Sequence, residues 1–140
     1  MTAALAGILV ALVTILGIKF SGTENKPWAY PLTLSLYPMI YFGFSIYAGD
    51  TGVLTKEIVF AIPFFVICIL SAVKNLKFSG ALLGLRYVGH GVYDGIHESI
   101  FHNPGMPSWW PVFCGVIDVV VGLYILNFVR NLPKLSIVHG

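Results

Sequence analysis

The sequence predicts an all-α fold: one polytopic membrane bundle of five transmembrane helices spanning residues 1–140. Three observations predict it. Of the 140 residues, 57% are hydrophobic and only 10% charged, whereas soluble domains average about 45–50% and about 25%. Mean hydropathy is +0.86. The apolar residues gather in five long runs with short linkers, and no run alternates as a half-buried strand does. This composition excludes intrinsic disorder and an ordinary water-soluble enzyme, because too little charge is available to cover a surface. Eight Lys and Arg against six Asp and Glu leave +2, too weak and scattered for nucleic-acid binding. Cys68 and Cys114 form no C-x-x-C pair, so neither a disulfide scaffold nor a thioredoxin-type motif is indicated.

The first run, Ala3 to Ile18, is closed by Lys19. It lacks the basic start and small-residue cleavage site of a signal peptide, so it is expected to be a mature helix. The second run, Ala29 to Ala48, holds Pro31 near its start and Pro38 inside. The third, Ile58 to Val73, lies between Lys56-Glu57 and Lys74 and contains Pro63. Both internal prolines free backbone carbonyls and favour kinks. The fourth, Phe78 to Phe101, is the least hydrophobic and carries nearly all the intramembrane ionisable groups. The fifth runs from Trp109 to Val129 and ends at Arg130. Each is close to the roughly 17–25 residues that cross a bilayer.

Orientation follows from charge. Lys19, Lys26, Lys74, Lys77, Arg130 and Lys134 share one side, and Lys56, offset by Asp50 and Glu57, lies on the other. The excess of basic residues places that first side in the cytoplasm, the amino terminus outside and the carboxy terminus inside. Trp28, Tyr30, Trp109 and Trp110 stand at the expected interfaces, where aromatic belts form.

The fourth run carries Arg86, His90, Asp94 and His97. At about 100° per residue these four fall within an arc of about 80°, with Glu98 at its margin. Ionisable groups in hydrocarbon cost several kcal/mol, so they face the bundle interior and point to function. Cys114 and Asp118, four apart on the fifth run, share one face. Counting about 1.5 Å per residue from the outer surface places Cys114 near the depth of His97, and Asp118 between Asp94 and His90. Imidazoles and carboxylates are ligands for zinc or iron. His90, Asp94, His97 and Asp118 are therefore the candidate metal ligands. Two imidazoles seven residues apart lie about 10.5 Å apart along a helix, so the most compact shell is one of the two histidines with both aspartates. The plainer reading is a hydrogen-bonded network that only fixes helix packing.

Lys77 to Ile125, about a third of the chain, resembles the core of a family of small bacterial integral membrane proteins, a domain of unknown function. The family pattern is an aromatic- and glycine-rich helix bearing H-x-x-x-D-x-x-H, a proline-containing loop, then a helix with C-x-x-x-D. Here these are His90, Asp94 and His97, then Cys114 and Asp118. Where members often carry a further histidine, this chain has Glu98. The resemblance implies a shared site and brings no known activity.

Remaining features have simpler readings. Gly80, Gly84, Gly91 and Gly95 flank the polar stripe and suit close helix approach. Tyr37 and Tyr41, four apart, suit interfacial anchoring or core packing, or phenols aimed at the site. Cys68 reads as a small core residue, and His102 as an exposed loop residue. Arg86 pairs with Asp94 only through His90, or snorkels toward the cytoplasmic interface.

The first functional expectation is an intramembrane metal-dependent hydrolase or isomerase acting on a membrane lipid or another hydrophobic molecule. His90, His97 and one or both of Asp94 and Asp118 would hold the ion, and the remaining carboxylate or Glu98 would be the base, with metal-activated water. A metal-free variant uses Cys114 as nucleophile, His97 as base and Asp94 as orienting acid, as in a thiol acyltransferase. The alternative class is a metal-binding or transport protein without catalysis, for which a homodimer would enlarge the bundle. Haem is disfavoured, since no other run supplies an opposing histidine and His139 lies in the tail.

Overall fold

A computed structural model describes residues 1–73 and 76–131. Lys74, Lys134 and His139 lie outside the described residues. The described chain is five helices with no strand among the described residues: α1 (Thr2–Phe20), α2 (Ala29–Tyr47), α3 (Thr51–Val73), α4 (Leu76–Ile100) and α5 (Trp110–Arg130).

Three of them are long and apolar enough to cross a membrane: α1, α3 as far as Leu70, and α5. The expected count was five. The prolines, serines and tyrosines of α2 and the ionisable stripe of α4 lower their hydropathy, because these two helices supply polar groups to the interior. The apolar exterior nonetheless extends to both. Leu32, Leu36 and Met39 on α2 and Leu85, Val92 and Ile96 on α4 are exposed. A bundle with apolar residues outside and ionisable residues inside suits a lipid solvent.

The largest boundary difference is at α3, which begins at Thr51 rather than Ile58. Two residues explain it. Gly49, at φ +69°, adopts the left-handed conformation that ends α2. Asp50 then caps α3, its Oδ1 accepting the Val53 N–H at 2.9 Å. The two helices are thus joined by residues 48–50 alone, and Glu57 becomes a second-turn helical residue instead of a boundary charge.

Side by side, the helices run α1–α5–α4–α3–α2, with α2 also touching α4 across a wider gap. The tightest pair is α4 and α5. A Cβ on Gly91 would stand 2.8 Å from the Gly115 carbonyl, and one on Gly122 would stand 2.8 Å from the Gly84 carbonyl. Gly95, expected in the same strip, faces open space. The interior has two halves. Leu34, Leu83, Tyr87, Val121, Ile125 and Val129 belong to an apolar half. Ser45, Glu57, His90, Asp94, His97, Asn103 and Asp118 fill the other and are all buried.

Candidate metal centre

Helical spacing places His90 and Asp94 one turn apart on α4, and the glycine contact brings α5 against them. At Gly91 the closest α5 atoms include Asp118 Cβ, so any side chain there would displace the aspartate. His90 Nδ1 donates to Asp118 Oδ2 at 2.7 Å and lies 3.5 Å from Asp94 Oδ2. One ligand atom from each of the three residues lies within 4.8 Å of the others. All three are at most 1% exposed.

The donor set suits a cation. Asp94 Oδ2 and Asp118 Oδ1 are buried without a hydrogen-bond partner, and orphaned carboxylate oxygens are expensive in a dry interior. Two carboxylates and a neutral imidazole balance a divalent ion, which would take the place of the proton that His90 shares with Asp118. Asp94 is oriented from α2 by the Tyr41 hydroxyl, which donates to Oδ1 at 2.6 Å. Of the roles open to Tyr41, the structure shows the phenol aimed at the site. The rings of Phe64 and Tyr37 flank His90 at 4.7 and 6.2 Å between centroids.

His97 belongs to a different group. Its Nε2 donates to Glu57 Oε1 at 3.0 Å. The Asn103 amide, from the α4–α5 loop, donates to the same Glu57 oxygen at 2.9 Å, to Ser45 Oγ at 3.0 Å and to the Tyr41 carbonyl at 3.4 Å. Tyr41 joins the two groups, its hydroxyl on Asp94 and its ring 5.0 Å from His97. Glu57 and His90 also line one small cavity with Pro38, Phe60, Phe64 and Tyr93, whose free volume of about 10 Å³ is that of a single water.

The structure therefore brings together His90, Asp94 and Asp118, and sets His97 apart with Glu57, because seven residues of helix separate the two imidazoles. Glu98 does not reach either group. It is exposed and accepts a hydrogen bond from His102 Nδ1 at 2.9 Å, since its place at the edge of the stripe turns it outward. Cys114 is buried beside Asp94 rather than paired with His97. Arg86 has no carboxylate within 4 Å among the described residues. Its guanidinium lies over the Phe64 ring, 4.5 Å from the centroid. Sequence reasoning missed Glu57 and Asn103. For Glu57 a signal existed: with Val53, Ala61 and Cys68 it forms a buried face at helical spacing.

Fold and site together are those of a membrane-type helical bundle with an interior His/Asp group able to hold a metal ion. No protein family, curated protein or solved structure matches the chain.

Proposed function

We propose that this chain is a five-span integral membrane protein of the cell membrane whose His90, Asp94 and Asp118 hold a divalent transition ion, zinc or iron, for hydrolysis or isomerisation of a hydrophobic substrate. The amino terminus is outside and the carboxy terminus cytoplasmic. The observation that carries the reading is the pair of orphaned carboxylate oxygens beside His90, buried among apolar helices. The apolar exteriors of α2 and α4 support five crossings. At about 1.5 Å per residue all five helices match a hydrocarbon core of about 30 Å.

Three protein ligands are characteristic of a catalytic site that keeps a position open, whereas structural sites close with four. A bound ion supplies water with its pKa lowered toward neutrality. The chain's own groups do the rest. Tyr41 holds Asp94 in place. Glu57, oriented by His97 and Asn103, is the carboxylate that shares a cavity with His90, so it takes the role of base in preference to Glu98. Phe60 and Phe64 give that cavity an apolar wall, and its volume suits the one water that a hydrolysis consumes.

Elemental analysis of detergent-purified protein tests the ion. Wild type should carry close to one equivalent, and Asp118→Asn none. No metal in the wild type would leave a polar network that fixes helix packing. The second reading, an ion held without turnover, draws on the near-complete burial of the three ligands. Cobalt-substituted protein separates the two: azide shifts the visible spectrum of a site with an open position and leaves a closed shell unchanged.

A further inference from the structure

Arg86 stands midway along α4, one turn before His90. Its Nε and Nη2 are buried and have no hydrogen-bond partner, and no described carboxylate lies within salt-bridge distance. Stacking on Phe64 satisfies the face of the guanidinium but not the Nε and Nη2 N–H groups, which lie in its plane. An arginine in hydrocarbon without a counter-ion is costly to keep, and such residues ordinarily pair.

A divalent ion with Asp94, Asp118 and neutral His90 is already neutral, so the ion site offers Arg86 no counter-ion. Glu57 does not reach the guanidinium either: its Oε1 accepts from His97 and Asn103, toward the outer end of the bundle. The same Phe64 ring that stacks on Arg86 lies 4.7 Å from the His90 ring, and residues four apart on a helix have Cβ atoms about 5–6 Å apart. A group held by the guanidinium is therefore about one helical turn from the ion.

We propose that Arg86 is the anion-binding subsite for an amphiphilic carboxylic acid, a long-chain carboxylate whose tail lies in the bilayer and whose head sits beside the metal centre. A carboxylic acid crosses hydrocarbon as its neutral form, whereas a phosphate ester carries its charge with it and is excluded by desolvation. The planar guanidinium offers the paired donors that a carboxylate accepts. The metal's share of this argument rests on the reading above, and the arginine's share does not.

The test is binding of a fluorescent long-chain fatty acid to the full chain in nanodiscs, with metal content measured on the same samples. Wild type should bind the acid and not its methyl ester. Arg86→Leu should bind it roughly tenfold to a hundredfold more weakly, with metal content and thermal transition unchanged. Arg86→Lys, which keeps the charge, should restore much of the affinity. Equal affinity in wild type and Arg86→Leu, equal binding of the ester, or tighter binding of an alkyl phosphate would each overturn the subsite. Arg86-dependent binding by protein that holds no metal would keep the subsite and remove the metal reading.

Discussion

At the scale of single residues, the site depends on atoms that have only one way to be satisfied. Asp94 and Asp118 each keep one oxygen free of hydrogen bonds. Asp94→Asn and Asp118→Asn should each abolish metal retention, while His97→Ala and Glu98→Ala should retain it. Elemental analysis of the four variants checks this, and loss of metal in His97→Ala would place the second imidazole in the shell after all. Asn103 is the opposite case, a side chain whose donors are all used. Asn103→Ala should lower stability by about 1–3 kcal/mol, since Glu57 and the Tyr41 carbonyl lose a donor in the interior. Thermal unfolding in detergent measures it. The sequence made the α4 and α5 ligands legible because their spacing is local: four residues, then one hairpin. Tyr41, Glu57 and Asn103 come from three other parts of the chain, 53 residues from Asp94 in the case of Tyr41; helical spacing allowed Tyr41 and Glu57 an inward face, but nothing local says which faces meet.

At the scale of elements, the decisive contact is α4 against α5. Gly91 and Gly115 let the two backbones approach until Asp118 stands over the α4 stripe, and this kind of packing needs no hydrophobic drive in lipid. Gly91→Leu should part the helices, lower the thermal transition and remove the metal together. Gly95→Ala meets open space and should be neutral or slightly stabilising, by up to about 1 kcal/mol, as expected for alanine replacing glycine inside a helix. A Gly91→Leu protein that unfolds normally and keeps its metal would refute the role given to this contact. Helix positions were legible to within a few residues almost throughout. The exception was α3, where Gly49 and Asp50 looked like generic loop and proved to be a stop and a cap. Missing that pair hid Glu57, because a residue beside Lys56 at a helix boundary is expected to be solvated.

At the scale of the whole molecule, polarity is inverted relative to a soluble protein, and its distribution sets the topology. With five crossings, a carboxy-terminal reporter should report from the cytoplasm and an amino-terminal one from outside. Both termini on one side would remove a crossing and reverse the depth order of the site. Composition alone made the membrane class legible. It could not show that the apolar side chains of α2 and α4 face outward while their polar ones converge, because that requires knowing which helices are neighbours.

The α4–α5 loop has one more consequence. Asn103 is fully buried, and a Cβ on Gly105 would collide with the Phe44 carbonyl, so the loop is pressed into the end of the bundle like a stopper. An ion held by His90, Asp94 and Asp118 would then be retained by kinetics as well as by affinity. Exchange with solvent would wait for the loop to lift. Purified protein should release its metal to a strong chelator over hours rather than seconds, with Asn103→Ala releasing it much faster at nearly the same equilibrium occupancy.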